Sequence, residues 1–360
     1  MQVYTIAIKA GIVLFPIIAL LITIPYMIKE YRKYGSVLPF KSLIFYSFVL
    51  YLLVAFFLVI LPLPKIEYVR ALKTPYINLE PFRFIKEINS YSSLVINDFS
   101  TYLPALKHSV LYTNIFNILL TVPFGIYLRY YFKRKWYEVV LLSLLLSLFF
   151  EITQLSGLYG IYPRPYRIFD VDDLIVNTFG GLTGFLVCPL FTFLFPTREK
   201  MDLKATEKLY TVSHTRRFIA NLLDLSFYSL LIFILIINGV NITLLQYFLF
   251  FYFYLLFFSS ILKGATPGKK IVKIKVVCRD LNFHLENIYI RYSVRYIVFS
   301  SLFTIIYELY QSEYFNCLSY IIFVLLIFEL IIIINFIYDT IVDKEYVYEK
   351  ISKTSVISTT

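Results

Sequence analysis

The chain is written in long, unbroken apolar runs, and their length restricts the possible folds more than any other feature. A helix rising 1.5 Å per residue needs about 20 apolar residues to cross the hydrocarbon of a bilayer. Such runs can be drawn over residues 5–28, 43–64, 109–130, 137–157, 173–195, 218–238, 242–262, 295–310 and 318–338. A membrane β-barrel would need segments of about ten residues that alternate in and out, and these runs are continuously apolar. Only 16% of the residues are charged and the mean hydropathy is +0.74, which excludes a soluble domain with the usual charged share of about 25%. The expected fold is an all-α polytopic integral membrane protein of about nine transmembrane helices, five in one block and four in another. The first run carries Lys9 and no small-residue cleavage site follows it, so it reads as a retained helix.

Lys and Arg crowd the short segments 29–41, 129–136 and 197–217. Basic loops stay on the cytoplasmic side, so nine spans put the N-terminus outside, the C-terminus in the cytoplasm, and the loops 65–108 and 158–172 outside. The net charge of +11 is mostly this signal, with attraction to anionic lipid heads as its companion. Nucleic acid is not implied. The polar stretch 197–215 reads as a cytoplasmic linker between a block at 1–196 and a block at 216–357. Cys188, Cys278 and Cys317 share no oxidising face. The three His have no metal-ligand spacing, and Gly264 and Gly268 are separated by three residues where a phosphate loop has four. No metal or cofactor is expected.

Polar groups in hydrocarbon cost several kcal/mol unless partnered, so polar clusters inside the runs point to function. The third run carries Asn114 and Asn117, the fourth Glu151 and Gln154, the fifth Asp173 and Asn177. Each pair is spaced three or four, so each helix presents its pair on one face. At 1.5 Å per residue the Asn pair lies roughly 7 to 12 Å, and Gln154 and Glu151 roughly 5 to 9 Å, below the outer surface. Asp170, Asp173, Asn177, Gly180 and Gly184 step by three and four along one face, and Gly181 adds to the close approach of helices. The loop between the fourth and fifth runs supplies Arg164 and Arg167, whose forked donors match carboxylate or phosphate. The site so drawn gives Arg167, with Arg164, to an anionic group, uses Asp170 to orient Arg167, and leaves the other side chains to grip hydroxyls, amides or a bridging cation. The same groups can instead pair among themselves, Arg167 with Asp170, Glu151 with Asn117 and Asn177 with Gln154, and fix helix register alone.

Asn117 followed by Pro123 and Gly125, then Glu151 and Gln154, then Arg167, Asp170, Asp173, Asn177, Gly180 and Gly184, resembles the VanZ family of bacterial membrane proteins. The segment Asn78, Leu79, Glu80, Pro81, Phe82 is similar to that family's short motif before a helix. The resemblance implies an association with reduced susceptibility to glycopeptide antibiotics, notably teicoplanin, and no settled biochemical activity.

In the second block Arg217, Asn221 and Asp224 share a face of the sixth run, with Asp224 roughly 10 Å deeper than Arg217. Thr266 to Lys270 reads as a turn, and Val272, Ile274 and Val276 alternate with Lys273 and Lys275 as in a short β-like flap after the seventh helix. Arg291 and Arg295 open the eighth run and Glu329 sits in the ninth. Arg217 to Asp224, the element from Ala265 to Val276, and the stretch Glu349 to Val356 resemble the RDD family, named for one Arg and two Asp. The second Asp of that pattern stands here as Glu349. RDD proteins are connected with cation/proton antiport, which the resemblance makes an expectation here, while an internal pair of Arg217 with Asp224 is the plainer reading.

The function expected is binding or handling of an anionic, lipid-linked envelope component at the outer leaflet of the bacterial cytoplasmic membrane, with membrane lipids or that precursor as partners. One alternative is a cation or proton exchanger in which Asp224 and Glu329 titrate, or a small-solute transporter. Another is a membrane enzyme with Glu151 as general base, for which the sequence offers no nucleophile or cofactor motif. A third is a scaffold without a ligand.

Overall fold

The computed structural model describes residues 2–91, 99–101, 109–207, 209–281, 283–296 and 345–359, together with positions 334, 338 and 339. The chain divides into two compact units, residues 1–22 with 38–201, and residues 23–37 with 202–360.

Six helical segments among the described residues are long and apolar enough to cross a membrane: Thr5–Tyr34, Pro39–Ile60, Leu111–Tyr130, Trp136–Leu155, Val171–Thr192 and His214–Ile237. The protein is an all-α polytopic membrane protein, with only short strands among the described residues. The seventh apolar run forms a shorter helix, and the eighth and ninth, with Glu329 and Cys317, fall almost wholly outside the described residues.

The first unit holds most of α1 (Gln2–Tyr34), then α2 (Pro39–Ile60), α3 (Ile66–Ala71), β1 (Ile77–Asn78), α4 (Arg83–Tyr91), α5 (Ser109–Tyr130), α6 (Trp136–Leu155), β2 (Phe169–Asp170) and α7 (Val171–Thr192). Helix α2 starts on Pro39, whose missing N–H costs nothing in a first turn, and stops at Leu61, held extended by the proline after it. The burial is inside out relative to a soluble protein. Leu190, Phe193 and Leu194 are at least 73% exposed, as lipid-facing side chains are, while Ser143, Ser147, Glu151, Gln154 and Asn177 are buried.

Helices α5 and α7 meet backbone to backbone. A Cβ on Gly184 would overlap the Val122 carbonyl, and one on Gly125 would overlap the Gly181 carbonyl, so only glycine permits this approach. Pro189 lies inside α7 and deprives the Phe185 carbonyl of its helical donor. The Arg129 guanidinium supplies one, at 2.6 Å, while stacking on the Phe185 ring. After α6 the chain turns through Gly157, Leu158, Tyr159 and Gly160, all at positive φ. Two of these are not glycine, and the turn is held because Ser156 Oγ accepts from the Tyr159 N–H at 3.0 Å and Leu158 packs with Ile60, Val69, Tyr162 and Tyr166.

The second unit contains α9 (His214–Ile237), α10 (Leu244–Ile261), α11 (Pro267–Ile271), β3 (Ile274–Cys278), α12 (Leu285–Tyr296), α13 (Val347–Ser352) and β4 (Thr354–Ser358); α8 (Arg198–Glu207) precedes them within the polar stretch. The flap is a two-stranded antiparallel sheet pairing Ile274 with Ser358 through Cys278 with Thr354. It begins at Ile274, since Val272 caps α11 and Lys273 turns at positive φ. Its inner side chains Ile274 and Val276 join Ile219, Leu223, Leu256, Ile288 and Tyr292 in one core.

Candidate functional site

Three helices of the first unit bring two of the polar pairs and one member of the third together. Asn117 of α5, Glu151 and Gln154 of α6, Asp173 and Asn177 of α7, and Arg167 of the preceding loop line one cavity of about 360 Å³. Apart from Thr113, its remaining wall is mostly apolar, from Leu58, Val59, Leu61 and Pro62 at the end of α2 and from Tyr112, Phe116, Leu120 and Phe150.

The bonds inside it differ from the simple pairings that spacing suggests. Asn117 Nδ2 donates to Asp173 Oδ1 at 2.8 Å, Gln154 Nε2 to the Val59 carbonyl at 2.9 Å, and the Asp170 N–H to Glu151 Oε2 at 3.0 Å. Ser147 Oγ donates to the Asp173 carbonyl, so it must accept from Asn177 Nδ2 at 2.9 Å. That fixes the amide orientation and leaves Asn177 Oδ1 buried with no partner among the described residues. Orphaned buried acceptors are rare enough to require an explanation. Ser143, Ser147 and Thr121, all fully buried, do not line the cavity and were not among the expected residues. Their signal was present in the sequence, because Ser143, Ser147 and Glu151 form one stripe at a spacing of four.

Arg167 is exposed at the cavity and makes no hydrogen bond or ion pair of its own among the described residues. Asp170 does not orient it. Asp170 is the N-cap of α7 and not a member of its inner face; its carboxylate accepts from the Asp172 N–H at 2.9 Å and from Asn78 Nδ2 at 3.2 Å. Arg164 does not line the cavity. Its guanidinium donates to the carbonyls of Leu72 and Thr74 and stacks on Tyr76 at 4.7 Å, pinning the preceding loop. Asn114 lines a neighbouring polar cavity of about 300 Å³ with Asn78, Arg83, Asp170 and Asp172; Thr113 and Asp173 border both cavities.

Asp172 went unnoticed beside Asp173. It accepts the Phe82 N–H at 2.6 Å and the Phe84 N–H at 2.9 Å, at the start of α4. Asn78 lies opposite Asp170 in the parallel β1–β2 pair. The motif from Asn78 to Phe82 is thus the strap that fastens the segment before α4 to the N-terminus of α7.

Residues 48–192 match the VanZ/LLP1 family, and residues 211–341 match the RDD family. The chain is a VanZ-like segment followed by an RDD segment. It is therefore a bacterial multi-pass membrane protein of the VanZ and RDD type. No curated protein and no solved structure matches it.

In the RDD segment, Arg217 does not pair with Asp224. It donates to Glu349 at 3.1 Å, and Arg291 reaches the same carboxylate at 2.9 Å and Thr354 Oγ1 at 2.7 Å. Burial pushes the Glu349 carboxyl up, but the Arg291 and Arg217 guanidiniums outweigh it and hold it below the usual carboxylate range. Arg295 donates to Asn221 at 3.2 Å. Asp224, fully buried, accepts from the Thr266 hydroxyl and from the Gly268 N–H at 2.7 Å, and so holds the turn that starts α11. Arg216 is the residue that sequence spacing passes over. Fully buried, it donates to the carbonyls of Val272 and Lys273 at 2.9 and 3.0 Å and packs on Tyr31.

Proposed function

We propose that the cavity between α5, α6 and α7 binds an anionic, lipid-linked component of the bacterial envelope, and that glycopeptide tolerance of the teicoplanin kind follows from this binding. The observation that carries the reading is Arg167, an exposed and unpaired guanidinium on the wall of a buried polar cavity. A planar two-donor fork suits phosphate oxygens. Asn177 Oδ1 supports it as an acceptor awaiting a hydroxyl or amide donor.

Glu151 and Asp173 add carboxyl oxygens to the same wall, which suit hydroxyl or amide groups carried beyond the phosphate. The apolar wall from Leu58 to Pro62 suits the first units of a prenyl chain. The volume falls within the range of small-molecule sites, about 300 to 1,000 Å³, and accommodates a head group.

The site opens to the outer leaflet of the cytoplasmic membrane in this reading, with the basic segments 129–136 and 197–217 inside. Cysteine labelling from outside a Cys-free variant should tag Ile161→Cys and spare Glu207→Cys. The functional test is teicoplanin tolerance at equal protein level: Arg167→Lys, Glu151→Gln and Asp173→Asn should each lower it. Wild-type tolerance in all three variants rejects the reading.

A further inference from the structure

A separate groove runs along the second unit. Phe227, Leu230 and Leu231 stand three and four residues apart on α9, and Tyr254, Phe258 and Leu262 stand four apart on α10 and its cap. Each trio therefore shares a helix face. Together they line an open apolar groove of about 660 Å³, closed at one end by Pro267 and Ile271 of α11.

The charge at that end decides what the groove holds. Gly268 packs against the Ala220 carbonyl and Asp224, so α11 sits level with residues 220–224 of α9, and the apolar trio lies one to two turns further along. Lys270 belongs to α11. Tyr31 packs on Arg216, which holds the carbonyls of Val272 and Lys273, and so sets Arg32 at the same end. Arg32 and Lys270 are both exposed, both border the groove, and neither makes a hydrogen bond or ion pair among the described residues. Two unpaired cations at one end of an apolar channel complement one molecule class, an acyl chain ending in a negative head.

We infer that this groove is a binding site for an anionic phospholipid, its chain along Phe227, Leu230, Leu231 and Phe258 and its phosphate between Arg32 and Lys270. A neutral lipid fills the same channel but leaves the two cations without counter-charge. Head-group charge therefore sets the selectivity and the channel sets the site. The inference stands apart from the cavity near Arg167, since it uses no residue of the first unit.

The test is native mass spectrometry of the full chain in detergent, titrated with phosphatidylglycerol or with phosphatidylcholine of the same acyl chains. The wild type should retain phosphatidylglycerol preferentially. Each interfacial cation contributes about a five-fold factor, so Arg32→Gln with Lys270→Gln should weaken that retention about twenty-five-fold, to the level of phosphatidylcholine. Lys204→Gln with Lys350→Gln removes the same charge away from the groove and should change nothing. Leu230→Trp, at a position 58% exposed, should reduce retention of both lipids by filling the channel. Unchanged phosphatidylglycerol retention in the Arg32/Lys270 variant overturns the inference. So does an equal loss in the Lys204/Lys350 control, or a dimer that dissociates in Leu230→Trp, which would give the groove to a second copy of the chain.

Discussion

The Asn117 side-chain amide donates to the Asp173 carboxylate at 2.8 Å, joining α5 to α7 on a wall that two cavities share. Asn117→Leu leaves the carboxylate without that donor, which costs about 1–3 kcal/mol. Replacing both partners, Asn117→Leu with Asp173→Leu, should recover much of the loss, because no polar group is then left stranded. Thermal unfolding of the full chain in detergent measures both. A double variant as unstable as the sum of the singles would mean that the contact does not join the helices.

Asp172 should matter more to the segment from Asn78 to Tyr91 than to the cavity. Its two carboxylate oxygens take the Phe82 and Phe84 N–H groups, so Asp172→Ala strands two donors at the start of α4, at about 1–3 kcal/mol. Limited proteolysis should then cut within residues 79–91 while the rest of the first unit stays protected. Protection equal to wild type would show that the strap is held elsewhere.

The cluster around Glu349 gives a pH dependence with a definite sign. Its folded carboxyl is held below the unfolded value by Arg291 and Arg217 against the opposing effect of burial. The stabilisation is therefore fully present above the unfolded pKa and is lost as pH falls through the folded one. Melting temperature should fall on acidification below the ordinary carboxylate range, and Glu349→Gln should be lower at neutral pH yet flatter across that window. Arg217→Gln and Asp224→Asn should add independently, since those residues share no contact, whereas Arg217→Gln and Glu349→Gln should couple.

The membrane spans and the convergence of three helices on one polar layer were legible because both follow from local spacing. Six apolar runs became helices of spanning length, and Asn117, the pair Glu151 with Gln154, and the pair Asp173 with Asn177 reached one cavity, while Asn114 faced the neighbouring one. Partner choice was not legible. Spacing places Arg217 and Asp224 on one face, but Arg216, Ala220 and Asp224 satisfy helix periodicity as well. Only the return of residues 347–358 to the flap decides that Arg217 meets Glu349 and Arg216 meets the α11–β3 turn. Arg164 and Arg167 look alike in the loop, and what separates them is the path of residues 72–76, whose carbonyls occupy Arg164 alone.

The central claim is that Arg167 and the orphaned Asn177 oxygen receive an anionic lipid-linked ligand. Its most direct test is saturable binding of a polyprenyl diphosphate to the full chain in nanodiscs, with the uncharged polyprenol as reference. The account predicts saturable binding by the wild type that the polyprenol does not match. It predicts a loss of about ten-fold or more in Arg167→Lys, as a bidentate, charge-assisted contact worth roughly 1.5–3 kcal/mol is replaced by a point charge. Arg164→Lys should bind normally. Equal affinity of wild type and Arg167→Lys, or equal binding of the diphosphate and the polyprenol, would contradict it.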